Sequence, residues 1–161
     1  MSAALRRIVL TAHVSASVGW LGAVAAFLVL AIAGLTGPSV QMVRGAYLAM
    51  GLTTWFVILP LALASLLTGV VASVGTAWGL FRHYWVAVKL LITLFITVVL
   101  LIHVQPIDAL AAAASSSAVS FVDLHGAQKL MVIASGAAVV ALLMLTGLSV
   151  YKPRGLISPR L

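Results

Sequence analysis

The sequence predicts an all-α, polytopic membrane protein: one transmembrane domain over 1–161, a four-helix bundle with both termini cytoplasmic. Composition, the lengths of the apolar runs and the placement of basic residues carry that reading. Hydrophobic residues make up 64% of the 161 and charged residues 7%, against roughly 25% charged in ordinary globular domains. So few charges cannot cover so much apolar surface in water. The formal charge of +7 does not point to nucleic acid, because the basic residues are scattered singly or in pairs and form no basic face. It reads as a set of topology determinants facing a lipid bilayer. The chain has no cysteine, which excludes disulfides, thiolate metal sites and cysteine nucleophiles. Arg6-Arg7 and the apolar run behind them resemble a signal peptide. That run reaches about residue 35, far beyond an h-region of about 7–15 residues, and reads as an uncleaved span.

The first span covers about 8–35 and stops at the breakers Gly34, Gly37 and Pro38. A short polar connector at 39–44 follows. The second span is placed at about 46–80. Trp55 and Trp78 are spaced by about 35 Å of helix, as two aromatic-belt anchors would be, so the stretch before Trp55 is expected partly outside the bilayer. Pro60 lacks an N–H and clashes with the carbonyl four residues back, so a kink is expected there. Arg82-His83 forms the turn into a third span at about 84–104. Gln105 and Pro106 are expected to open a connector in which 109–114 forms a short interfacial helix, broken by Ser115-Ser116-Ser117. The fourth span covers about 125–151, its apolar part beginning near Leu130, and stops at Lys152, Pro153 and Arg154. Alternating strand patterns are absent, which excludes a membrane β-barrel.

With four spans, Arg6, Arg7, Arg82, Lys89, Lys152, Arg154 and Arg160 fall on the side of the termini. Arg44, Lys129 and both acids, Asp108 and Asp123, fall on the other. Seven basic residues against two put the termini in the cytoplasm of a bacterial inner membrane.

Chemistry concentrates on two helix faces. In the third span, Lys89, Thr93, Ile96, Leu100 and His103 share one face, with Thr97 at its edge, since successive residues turn by about 100°. Lipid rewards apolar surface, so this face is expected to point into the bundle as a polar seam for a ligand, ion or proton. The simpler reading is a snorkelling lysine with threonines bonded to their own backbone. In the first span, His13, Ser17 and Trp20 share a face that Phe27 continues. His13 lies at a depth close to that of Lys89, and its imidazole could accept a hydrogen bond from that lysine or hold a metal or haem iron. A histidine satisfied by a nearby carbonyl is the plainer account. On the opposite side, His103, His125, Asp108 and Asp123 are the residue types that ligate a divalent metal or, as paired histidines, haem b. Their spacing matches no tight ligand motif. Small residues four apart, Ser65, Gly69 and Ser73, suit close helix packing, as do Gly136 and Gly147.

No span contains an acid, and there is no phosphate-cradling glycine loop, paired carboxylate site or nucleophile elbow. The leading expectation is therefore non-enzymatic: a small-ligand or ion site at His13, Ser17, Trp20, Lys89, Thr93 and Thr97. A haem b electron carrier and an accessory subunit of a membrane complex or homo-oligomer are the alternatives.

His13, the GWLG at 19–22, Trp78-Gly79, Arg82-His83 and the WVAVKL around Lys89 resemble a family of bacterial integral membrane proteins of unknown function, especially its actinobacterial members. That resemblance implies a four-helix membrane fold and no activity. A weaker likeness is to the membrane domain of the copper-resistance protein D group, which also pairs an early helix carrying histidine and Trp-Leu-Gly with a later Lys-Leu helix. It implies metal handling through His13. The chain departs from that group in lacking methionine-rich and cysteine copper motifs.

Overall fold

The structure, a computed structural model, describes residues 1–75, 84–116 and 124–151. Expectations resting on Trp78-Gly79, Arg82-His83, Asp123 and the residues after 151 lie outside these. All regular elements among the described residues are helical. They are α1 (Ala3–Thr36), α2 (Val40–Thr53), a π-helical turn (Thr54–Ile58), α3 (Leu59–Val74), α4 (Tyr84–Ser115) and α5 (His125–Tyr151). Because α2, the π turn and α3 run on as one rod, four helices are long and apolar enough to cross a membrane. The molecule is a helical membrane protein by that measure.

Ser2 caps α1, its hydroxyl accepting from the Leu5 amide at 3.3 Å, and Ser39 caps α2 by accepting from Met42 at 3.2 Å. Between them Gly37 and Pro38 carry the turn. The buried stripe of α1 is Ala16, Trp20, Val24, Phe27, Ala31 and Gly34, spaced four, four, three, four and three, the period of a helix with one face in a core. Residues between them, such as Val18, Val29 and Ile32, are exposed, as lipid-facing positions are.

The second rod starts earlier than expected. Ala46, Tyr47, Met50 and Gly51 are buried against the rest of the bundle, so this stretch packs into the core as the rest of the rod does. Trp55 itself is half exposed. Its indole donates to the Asp108 carboxylate at 2.9 Å. Near Pro60 the departure from α geometry takes the form of the π turn that immediately precedes it. Widening the turn there relieves the clash between the proline ring and the carbonyl four residues back.

A larger correction concerns Pro106. The helix does not open into a connector there: α4 runs without interruption to Ser115, and the separate interfacial helix at 109–114 does not exist. Breaking a helix in lipid would expose several backbone N–H and C=O groups, whereas an internal proline forfeits a single bond. The continuation also buries Ile107, Leu110, Ala113 and Ala114. The serine run does end the helix.

α1 and α4 lie diagonally across the bundle, each packed against both the α2–α3 rod and α5. Met1, Arg6, Ser73, Trp85 and Ser149 surround one open vestibule. The start of α1, the end of α3, the start of α4 and the end of α5 therefore share one end of the molecule. At the other end Arg44 donates to the Ser116 carbonyl at 3.0 Å.

Candidate functional site

His13 sits nearly three turns into α1 and leans on α3. Its Nδ1 lies 3.0 Å from the Ser65 carbonyl oxygen. A carbonyl only accepts, so Nδ1 carries the proton, and in the neutral ring Nε2 keeps its lone pair. Nδ1 is also 3.3 Å from Thr68 Oγ1, whose own proton goes to the Ala64 carbonyl. The ring reaches α3 because Gly69 has no side chain: a Cβ there would lie 3.0 Å from His13 Cε1. Gly69, expected as a packing residue, is thus what admits the imidazole.

One turn further along α1, Ser17 Oγ donates to the His13 carbonyl at 2.8 Å and lies 2.8 Å from Ser65 Oγ. With the Ser17 proton committed to the carbonyl, Ser65 donates to Ser17. Ser65 is buried. The two hydroxyls form a short chain joining α1 to α3.

From the far side of the bundle α4 presents Lys89 and Thr93. The Lys89 ammonium donates to Ser149 Oγ at 2.5 Å, and Ser149 passes its proton to the Leu145 carbonyl at 2.8 Å. Ser149 had no sequence signal: it is one serine among many until the register of α5 against α4 is known. Thr97 is buried, and its hydroxyl is tied to the Thr93 carbonyl at 2.8 Å. The Thr93 hydroxyl has no such tie among the described residues.

These side chains surround two small adjoining cavities. One, of about 70 Å³, lies between His13, Ser65, Gly69, Lys89 and Thr93. The second, of about 50 Å³, lies deeper and adds Ser17, Trp20, Leu142, Leu145 and Thr146. One water-sized body needs roughly 10–15 Å³ on this measure, so the pair suits an ion with a few waters or a molecule of a few heavy atoms. Toward the end where Met1 lies, His13 and Lys89 also line the vestibule, of about 540 Å³, with Arg6 and Arg7.

Five of the six residues expected at a bundle-interior site, His13, Ser17, Trp20, Lys89 and Thr93, therefore line one pair of cavities. Thr97 lies just outside them. Beyond Trp20 is a separate apolar chamber of about 70 Å³ walled by Phe27, Ile58, Ile96, His103 and Met131.

The outer candidates are engaged locally. His103 Nδ1 donates to the Val99 carbonyl at 2.7 Å, His125 Nδ1 is 3.1 Å from Gln128 Oε1, and Asp108 holds the Trp55 indole. Among the described residues no three histidines or acids converge to hold a metal ion. Nε2 of His13 and Nε2 of His103 each keep a lone pair able to reach iron or a divalent metal, and these two residues line different chambers.

Comparison with protein-family models, with curated proteins and with solved structures found no match in any of the three. The class of protein rests on the helices themselves: a bundle of four apolar helices with a polar site between them.

Proposed function

We propose that the chain is a non-enzymatic protein of the bacterial cytoplasmic membrane that binds a small ligand or ion inside its bundle. The supporting observation is the convergence of His13, Ser17 and Trp20 on α1 with Lys89 and Thr93 on the diagonal helix, around cavities of ion-with-water size. Polar groups within apolar helices are costly and persist where they serve a site. Trp20, within the Gly19–Gly22 segment that carries the likeness to actinobacterial membrane proteins, lines the deeper cavity, which ties that proposed kinship to this site.

The test is a melting experiment on the purified protein in detergent against a panel of small cations, anions and neutral solutes. At least one class is expected to raise the unfolding midpoint, with the rise lost in both His13→Ala and Lys89→Met. If no solute does so, or if Lys89→Met changes neither binding nor stability, only a snorkelling lysine is left. A Soret band in the same preparation would move the reading to haem.

The proposed orientation places the vestibule end in the cytoplasm. Because the chain has no cysteine, single cysteines introduced at positions 2 and 158 report cleanly. Both are expected to resist an impermeant thiol reagent in intact cells and to react in inverted vesicles. Reaction of either from outside overturns the orientation.

A further inference from the structure

The site just proposed has donors in excess, and this indicates the chemistry of its ligand. The Trp20 indole lies 98% buried (2% exposed) and Nε1 has no hydrogen-bond partner among the described residues. A buried N–H without an acceptor is costly, and native structures rarely leave one so. Trp20 lines the deeper cavity together with Lys89 and Thr93. Residues carrying an ammonium, an unpartnered indole N–H and an untied hydroxyl thus line one small space, which Trp20 divides from the apolar chamber beyond, while the Ser17 and Ser65 hydroxyls spend their protons on each other and on the His13 carbonyl.

Charge points the same way. The whole chain has two acids. Asp108 lies 19 residues beyond Lys89 on α4, about 28 Å along the helix, and binds Trp55. Outside the cavities, Arg6 and Arg7 line the vestibule that Lys89 also borders. A concave, low-dielectric opening with basic walls raises the local concentration of anions. A metal cation, by contrast, would sit beside the ammonium with one imidazole nitrogen for a ligand, and no three ligating side chains gather among the described residues.

We propose that the chamber bordered by Trp20, Lys89 and Thr93 binds a small monovalent anion of the halide or nitrate class, drawn in through the Arg6–Arg7 vestibule. A single charge matches the single ammonium, since burying a second would add a desolvation cost with nothing to offset it. The inference rests on the ligand-site reading above and narrows it.

The experiment uses the full-length protein in lipid-free detergent, so that lipid headgroups cannot supply the anion. Its unfolding midpoint is followed by circular dichroism in sodium nitrate, sodium bromide, sodium gluconate and zinc gluconate at equal ionic strength. Nitrate or bromide is expected to raise the midpoint saturably by about 5 °C relative to gluconate. Lys89→Met abolishes the shift. Trp20→Phe, which keeps an aromatic ring and removes the N–H, weakens apparent affinity about tenfold. If Lys89→Met fails to fold, the Trp20→Phe titration carries the test. A nitrate shift that survives unchanged in both variants, or in the one that folds, overturns the assignment. So does a zinc shift that depends on His13 in the absence of any anion shift, and that outcome leaves the ligand-site reading standing. Silence from nitrate, bromide and zinc overturns the anion assignment, and silence across the wider solute panel overturns the ligand-site reading as well.

Discussion

Replacing Trp20 with Ala is expected to cost about 3 kcal/mol of stability and to join the polar cavities to the apolar chamber beyond. Trp20 lies in the core cluster with Val24, Phe27, Ile58, Ile96, Met131 and Leu142, and its ring separates a space bordered by Lys89 from one walled by Phe27 and Met131. In lipid the usual transfer term is weak, because the competing solvent is as apolar as the core. What remains is dispersion lost across a void that neighbouring helices refill only in part. Trp20→Phe is expected to be far milder in the absence of ligand, because the N–H it removes satisfies no acceptor among the described residues. Losing an unpaired donor forfeits no bond and removes a desolvation penalty. Reversible unfolding in mixed micelles, followed by circular dichroism, checks both. A Trp20→Ala protein within about 1 kcal/mol of the parent would show that the indole is not a packing element of this core, against the cavity term expected for a buried aromatic.

The contrast between these substitutions shows which features a sequence exposes. Hydropathy and helical period sufficed for four apolar helices, for the face of α1 that carries His13, Ser17, Trp20 and Phe27, and for turning Lys89 and Thr93 inward toward Trp20. Each of these depends on one helix at a time. Pro106 was misread because propensity rules derive from helix ends that water can solvate, and in lipid the cheaper outcome is to carry the proline within α4. The burial of Ala46 and Tyr47 in the bundle was not legible from Trp55, because a belt residue speaks to depth and says nothing about which faces meet. Ser149, the Ser65 carbonyl and the space at Gly69 became visible only with the relative register of helices, a pairwise property that no single-helix pattern encodes. The same limit applies to His103 and His125. Their residue types suit a metal, whereas their observed partners are Val99 and Gln128.

Gly34→Val is expected to destabilise the protein by about 2–3 kcal/mol, at the upper part of the range for overpacking a close contact. A Cβ at Gly34 would lie 2.5 Å from Tyr47 Cζ and 2.6 Å from Cε1, inside any permissible carbon–carbon approach. Tyr47 is fully buried and the ring has no open space to turn into, so relief requires α1 and α2 to separate. The expected signature is therefore not a single number. Gly34→Ala and Tyr47→Leu should each destabilise alone, yet their combination should cost less than the sum, because the shorter side chain vacates the space that the new methyl needs. Because α2 continues through the π turn into α3 as one rod, a shift at Tyr47 also moves Ser65 and Gly69 relative to His13. The anion-dependent rise in melting temperature should then weaken in Gly34→Val although the substitution lies at the opposite end of α1. Wild-type melting in Gly34→Val would falsify the α1–α2 register. An unperturbed anion response in a destabilised Gly34→Val would instead show that the two ends of the rod move independently, with the π turn at 54–58 absorbing the displacement.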